Sequence, residues 1–132
     1  MLKYMLDTNI VIYVIKHKPV QVAHIFNQHA GKMCMSSITV AELYYGAEKS
    51  QFPNKNLRIV EDFLSRLDIL PYTEKAAAHF GNIKSTLSKQ GALISENDLH
   101  IASHARAEGL ILVSNNLREF ERVEGLRLEN WV

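Results

Sequence analysis

Short apolar runs that alternate with long helical patterns are the feature that most constrains the fold of this chain. Four runs of strand character cover residues 3–6, 32–35, 68–70 and 110–113. Between them lie helical patterns, one beginning at Pro19 and the others over residues 8–16, 39–48, 53–67, 73–90 and 95–108. Strands separated by helices pair in parallel through right-handed crossovers. The sequence therefore predicts a three-layer α/β/α sandwich with a mainly parallel central sheet.

Composition predicts one domain, residues 1–132, in a reducing compartment. The 132 residues are 47% hydrophobic, which is enough for one conventional core. Cys34 is the lone cysteine, so no intrachain disulfide is possible. No apolar stretch is long enough to span a bilayer, and Asp7 interrupts the one that superficially resembles a signal peptide. We therefore expect a cytoplasmic protein.

The overall charge does not indicate a nucleic-acid-binding protein. Fifteen basic residues nearly balance fourteen acidic ones, which gives a formal net charge of +1. A polyanionic ligand must therefore be held by a local patch rather than by the field of the whole chain.

Asp7 directly follows the first apolar run and places a carboxylate at the end of a predicted strand. In open α/β sheets, ligands bind outside the carboxyl ends of parallel strands. A structural interpretation is equally open, because aspartate commonly caps a helix that follows a strand. Asp7 is thus a candidate for a ligand site and for a helix cap.

Two further carboxylates, Glu42 and Asp98, interrupt apolar helical stretches. Glu42 shares a predicted helix face with apolar or aromatic neighbours, namely Ile38, Ala41 and Tyr45. Asp98 shares its face with Ile94, Ile101, Ala102 and Ala105. Charged side chains on such faces are rarely buried without a partner. For Asp98, a capping box with Ser95 is an equally open interpretation.

Three carboxylates brought together would need a cation or a raised pKa. Two carboxylates about 4 Å apart repel by roughly 4 kcal/mol at an effective dielectric constant of about 20, so three together do not all stay ionised without one or the other. Their hard oxygen ligands favour Mg²⁺ or Mn²⁺ over zinc. Such ions activate water and stabilise charge in phosphodiester cleavage. The residues therefore predict a nuclease in which Asp7, Glu42 and Asp98 are metal ligands and catalytic residues.

Four motifs are distributed along the whole chain. They are Met5-Leu6-Asp7-Thr8-Asn9, Ser37 to Leu43 with Gly46 following, Asn97 to Ala102, and Leu112 to Asn116 leading to Glu119-Phe120. Together they resemble the PIN-domain ribonucleases, and within them the VapC toxins of bacterial toxin-antitoxin modules. The resemblance implies a PIN-like α/β/α fold and Mg²⁺-dependent cleavage of structured RNA. It also implies that Asp7 and Asp98 are metal ligands and that Glu42 completes the acidic site.

The same resemblance implies partners and a substrate. It implies a homodimer, tight inhibition by a VapB-type antitoxin, and contact with operator DNA only through that antitoxin. The most similar subgroup implies cleavage of initiator tRNA in its anticodon stem-loop. Two alternatives stay open: a PIN-like nuclease that acts on ribosomal RNA or structured DNA, and a catalytically silent RNA-binding or interaction module.

The chain departs from the family pattern at two positions. Many members carry aspartate at the position of Asn116, so either Glu119 replaces a fourth carboxylate or Asn116 contributes a neutral amide. Many carry glycine at the position of Ser95, whose hydroxyl here strengthens a helix cap. Thr8 and Ser114 are candidates for orienting water or backbone around the ligands.

Two pairs of residues at helical spacing have two interpretations each. Arg118 and Arg122 either bind RNA phosphates or pair with Glu119 and Glu121 on the surface. His100 and His104 are also four residues apart, which is metal-ligand spacing, but no third ligand accompanies them. For the histidines we expect a solvated helix face rather than a zinc site.

Overall fold

Five parallel strands form one sheet in the computed structural model, which describes residues 1–132. The strands are β1 (Tyr4–Leu6), β2 (Met33–Ser36), β3 (Asp68–Leu70), β4 (Ile111–Val113) and β5 (Leu128–Glu129). Their spatial order is β3-β2-β1-β4-β5, and every neighbouring pair is parallel. The first strand of the chain therefore lies at the centre of the sheet.

Seven helices connect the strands and cover the sheet. They are α1 (Thr8–Lys16), α2 (Val20–Gln28), α3 (Ser37–Glu48), α4 (Pro53–Leu64), α5 (Glu74–Lys89), α6 (Glu96–Glu108) and α7 (Leu117–Phe120). Side-chain hydroxyls of Ser36, Thr73 and Ser95 cap the starts of α3, α5 and α6. Gly109 ends α6 in the left-handed conformation, with a φ of 67°. None of these helices combines the length and the apolar character that crossing a membrane requires.

Two hydrophobic cores lie on opposite faces of the sheet. Successive side chains of a strand point to opposite faces, and accordingly Tyr4 and Leu6 pack in one core while Met5 packs in the other. The first core takes its helical side chains from α1, α2, α3 and α4, and the second takes them from α5, α6 and α7. The predicted three-layer α/β/α sandwich is confirmed.

The sequence does not predict two short elements near the end of the chain, β5 and α7. β5 has two half-buried residues at the sheet edge, and α7 is a single turn, so neither is long enough to show a hydrophobic period. The helix predicted over 53–67 ends earlier, at Leu64. There the backbone N–H of Arg66 bonds to the carbonyl of Phe63 in a tighter turn that leads towards β3.

The strand order creates a topological switch between β1 and β4. From β1 the chain builds β2 and β3 on one side, and it then returns to build β4 and β5 on the other. Asp7 follows β1, Ser114 follows β4, and the N–H of Asp7 donates to the carbonyl of Val113 at 3.0 Å. Ligands bind at such a point in open α/β sheets. The fold thus positions Asp7 and Ser114 at the edge where a ligand site is expected.

Candidate active site

Asp7 is the only acidic side chain of the protein that is buried, with 4% of its surface exposed. Its Oδ1 accepts a 2.9 Å hydrogen bond from the N–H of Ile10, so Asp7 caps α1. Burial raises the pKa of Asp7 to about 6, and repulsion from Asp98 and Glu42 adds to the rise. Hydrogen bonds from Ser114 and Ile10 act in the opposite direction. The capping interpretation is confirmed, and the same carboxylate also faces two other acids.

Asp98 lies in the first turn of α6, close to Glu119 of α7. Burial raises the pKa of Asp98, and the nearby charges of Glu119 and Glu42 raise it further, as does a hydrogen bond shared with the Glu119 carboxyl. A hydrogen bond with Ser95 lowers it. The Ser95 hydroxyl also accepts from the N–H of Asp98 at 3.3 Å, which confirms the predicted cap. Glu119 therefore lies beside Asp98 as a further carboxylate, and its role as the fourth acid of the site stays a prediction.

Glu42 is held by two neutral donors. Thr8 donates through Oγ1 to Glu42 Oε1 at 2.6 Å, and Asn97 donates through Nδ2 to Glu42 Oε2 at 3.0 Å. Thr8 follows Asp7 in the chain, and Asn97 precedes Asp98. The carboxylate of Glu42 is thus oriented by the immediate neighbours of the two aspartates.

Two of the three apolar neighbours of Glu42 on α3 do not face a core, contrary to the pattern in the sequence, whereas the third, Ile38, packs half-buried against the second core. Ala41 and Tyr45 are exposed, and the buried residues of the helix are Thr39, Leu43 and Ala47. Each residue turns a helix by about 100°, so a shift of one position moves a stripe from the core to the surface. Glu42 is therefore only half-buried, at the border between these faces.

Thr8 and Ser114 both contact carboxylates of the site. Thr8 donates to Glu42, and Ser114 contributes a hydrogen bond that lowers the pKa of Asp7. The Ser114 hydroxyl also accepts from the backbone N–H of Asn116 at 2.9 Å. The side chain of Asn116 makes no cap for α7. Asn116 thus contacts Ser114 through its backbone N–H, and a role for its side-chain amide stays a prediction.

The donor set of the site fits a hard divalent cation. Asp98 is repelled by Glu119 and Glu42, Asp7 is repelled by Asp98 and Glu42, and no arginine or lysine forms an ion pair with any of the four. In this conformation no three His, Cys, Asp or Glu side chains are grouped closely enough to hold a metal ion. The oxygens of Glu42 instead accept bonds from Thr8 and Asn97. Carboxylate oxygens without a protein cation are nevertheless the chemistry that Mg²⁺ and Mn²⁺ prefer.

Arg118 and Arg122 are exposed, on α7 and just beyond it. Arg122 donates through one guanidinium nitrogen to the carbonyls of Ala92 and Leu93, at 3.3 and 3.2 Å, and so contacts the segment that leads to α6. Neither arginine forms an ion pair with a glutamate of its own segment, so the surface-pairing interpretation is wrong. Their binding of RNA phosphates stays a prediction.

His100 and His104 do not lie on a solvated helix face, and that expectation is wrong. His104 is fully buried, with Nδ1 at 2.7 Å from the hydroxyl of Ser36, and burial lowers its pKa. His100 is half-buried, with Nδ1 at 2.8 Å from the Tyr72 hydroxyl and its ring stacked on Phe80. α6 packs against α5 as well as the sheet, so most of its circumference is covered.

One residue of the site, Asn97, was assigned no role from the sequence. An exposed asparagine in the first turn of a helix is common, and its partner Glu42 lies 55 residues away in the chain. Only the position of Asn97 beside Asp98 could have drawn attention to it.

Asp7→Asn is expected to stabilise the fold at neutral pH. The folded-state pKa of about 6 exceeds the ordinary value of 3.8, so the stability contributed by Asp7 is full below about pH 4 and is lost as pH rises through about 6. Asparagine still caps α1 and carries no charge. We expect a gain of about 1 to 3 kcal/mol in the free energy of unfolding near pH 7.5, measured by urea denaturation in metal-free buffer.

The matched control is Asp62→Asn, which removes an exposed carboxylate and is expected to produce no such gain. If Asp7→Asn gave an equal gain at about pH 4 and at about pH 7.5, burial of the charge would not be its cause.

Comparison with known proteins agrees with this arrangement. Residues 4–126 match the PIN domain family. The chain is 75% identical to Ribonuclease VapC2 of Haemophilus influenzae over 132 residues, which is the full length of both chains. It is 56% identical to the tRNA(fMet)-specific endonuclease VapC of Shigella flexneri over 131 residues, or 99% of each chain.

The fold also matches that of a solved complex. The crystal structure of DNA-bound VapBC from Salmonella typhimurium contains a chain that is 51% identical to this one, with a TM-score of 0.96 and complete coverage of both chains. VapBC-1 from nontypeable Haemophilus influenzae gives a TM-score of 0.89 at 39% identity, with 98% of each chain covered. This chain therefore belongs to the VapC ribonucleases of the PIN domain family.

Proposed function

We propose that this protein is a Mg²⁺-dependent endoribonuclease toxin that cleaves structured RNA, with initiator tRNA as its substrate and the anticodon stem-loop as its cleavage site. The observation that carries the proposal is the buried Asp7 carboxylate, which faces Asp98 and Glu42 and has no protein cation beside it. A cluster of acids at the switch point of a parallel sheet is suited to a cation and a phosphate, and it is poorly explained by stability.

The residues that would hold the ion are Asp7 and Asp98, with Glu119 and Glu42 completing the acidic site. When bound, Mg²⁺ or Mn²⁺ supplies an activated water and stabilises the charge that develops on the phosphate. The N–H of Ile10 orients the Asp7 carboxylate through the 2.9 Å hydrogen bond to Oδ1, and Ser114 favours its charged form by lowering its pKa. No side chain is required as a nucleophile.

The choice of substrate is supported by the relatives. The Shigella flexneri VapC, 56% identical, is named as a tRNA(fMet)-specific endonuclease. We propose the same substrate here, and we propose that the exposed Arg118 and Arg122 bind its phosphates as bidentate donors. This substrate implies that the protein acts in the cytoplasm.

We further propose that a VapB-type antitoxin binds the groove beside Glu42. The neighbouring solved structures are VapBC complexes, two of them with bound DNA. The groove has a volume of about 500 Å³ and lies between α1, α3 and α4, with an apolar lining that includes Ile12, Ile15, Leu43, Ile59 and Val60. Glu42 also lines it, so the groove is continuous with the acidic site.

A segment with apolar side chains and a terminal arginine would suit both parts of this surface, because the arginine can pair with the carboxylates. Operator DNA would then be contacted through the antitoxin alone. The homodimer implied by the family resemblance stays a prediction.

The function is tested by incubating the purified chain with total cellular RNA, with Mg²⁺ or with EDTA, and mapping the new RNA ends. We expect one dominant cut in the anticodon stem-loop of initiator tRNA, and loss of cleavage in EDTA and in Asp7→Asn, because both remove the cation or its principal ligand. Cuts confined to ribosomal RNA or to hairpin DNA would replace the proposed substrate. Full turnover in EDTA would refute the metal-dependent mechanism.

The groove is tested by placing a charge on its rim. Ile59→Glu is expected to weaken binding of the cognate VapB at least tenfold, measured by calorimetry, because a carboxylate would be buried against apolar side chains. Cleavage of initiator tRNA by the free variant should be unchanged. Ile69→Glu is the matched control, since Ile69 is 41% exposed against 38% for Ile59 but lies on β3, outside the groove. Equal affinities for the two variants would show that the antitoxin binds elsewhere.

The fourth acid is tested by comparing Glu119 with Asn116. Glu119→Gln is expected to lower the single-turnover cleavage rate of an RNA hairpin about tenfold or more, because Glu119 lies beside Asp98. Asn116→Ala is expected to change the rate little, since Asn116 supports the site through its backbone N–H. The reverse pattern would assign the role to the Asn116 amide, and no loss in either variant would show that three acids suffice.

A further inference from the structure

We propose that Asn97 is a positioning residue that fixes the Glu42 carboxylate relative to Asp98 and so sets the geometry of the acidic site. This inference rests on the proposed nuclease function, which it deepens. Its basis is the 3.0 Å hydrogen bond from Asn97 Nδ2 to Glu42 Oε2.

The bond connects α3, which contains Glu42, with α6, which contains Asp98. Glu42 lies in the middle of α3, and Asn97 lies in the first turn of α6, next to Asp98. On its other oxygen, Glu42 accepts the 2.6 Å hydrogen bond from Thr8, which follows Asp7. Each oxygen of the Glu42 carboxylate is therefore bonded by the chain neighbour of one aspartate, Thr8 beside Asp7 and Asn97 beside Asp98.

The side chain at position 97 has to donate a hydrogen bond without carrying a charge. A lysine or arginine here would place a cation among the acids and compete with a metal ion for them. An aspartate would add a fifth negative charge beside Glu42, Asp98 and Glu119 and would repel Glu42. The amide of Asn97 orients the carboxylate and leaves its charge available.

A role in stability explains Asn97 less well than a role in positioning. Asn97 is exposed, and a single hydrogen bond between exposed groups contributes little to folding. The start of α6 is already capped by Ser95. Aspartate is also favoured in the first turn of a helix, because its charge is stabilised by the helix dipole. The substitution Asn97→Asp therefore separates the two roles.

The experiment compares Asn97→Asp and Asn97→Ala with the wild-type chain and with Asn54→Asp. Asn54 is the matched control, because it is the second residue of α4, as Asn97 is of α6, and is likewise exposed. We expect all variants to keep the thermal midpoint of the wild type or exceed it. We expect kcat for initiator tRNA cleavage to fall about tenfold or more in Asn97→Asp and Asn97→Ala, with KM within about twofold. Asn54→Asp should match the wild type.

A double-mutant cycle shows whether Asn97 acts through Glu42. Once Glu42→Ala has removed the carboxylate, Asn97→Ala should cause no further loss of kcat. Independent losses at the two positions, or equal kcat values for Asn97→Asp and Asn54→Asp, would overturn the proposal.

Ion binding gives a readout that does not depend on RNA cleavage. Calorimetric titration with Mn²⁺ should show weaker binding to Asn97→Ala than to the wild type, with Asn54→Asp unchanged. If the wild-type chain cut no RNA, the proposed function would fail, and this titration would still decide the role of Asn97. Identical Mn²⁺ affinity in the wild type and Asn97→Ala would then count against it.

Discussion

The burial of one negative charge, that of Asp7, is the constraint around which the rest of the site is arranged. The carboxylate lies where the central strand β1 meets its neighbour β4, and burial, together with repulsion from Asp98 and Glu42, opposes its ionisation. The groups that hold it are neutral: a hydroxyl and a backbone N–H. Neutral donors orient a carboxylate without cancelling its charge. The free-energy cost of burying the charged carboxylate is therefore not offset by an arginine or lysine at this edge of the sheet. Such an uncompensated cost is common at functional sites.

The layered fold was readable from the sequence because its signal is local. Each buried strand is a short apolar run, and each helix shows its own period and caps. The order of the strands has no such local signal, since it depends on which apolar faces meet in three dimensions. The helix α7 was not predicted, because a single turn is too short to show a hydrophobic period. It nevertheless places Glu119 beside Asp98.

The acidic residues could be predicted from the sequence, because a charged residue interrupts an apolar pattern. Their hydrogen-bond partners could not be predicted in this way. At Asp7 and Asp98 the helix-cap and ligand-site interpretations looked like alternatives, yet the two caps are present and both carboxylates still face other acids. At Glu42 the pattern identified the residue, but it predicted a buried face for Ala41 and Tyr45, which are exposed. The contact of Asn97 with Glu42 was not predicted, because it joins residues 55 apart in the chain and a polar residue at the start of a helix is ordinary.

The order of the acids along the chain determines when the acidic cluster can assemble during translation. Asp7 and Glu42 emerge early, whereas Asp98 and Glu119 come from the last third of the chain. The strand β4, which closes one side of β1 and carries Ser114 to Asp7, is also made late. Because synthesis proceeds from the N-terminus, an unfinished copy lacks half of the acidic cluster. Assembly of the cluster is thereby delayed until translation of the chain is nearly complete.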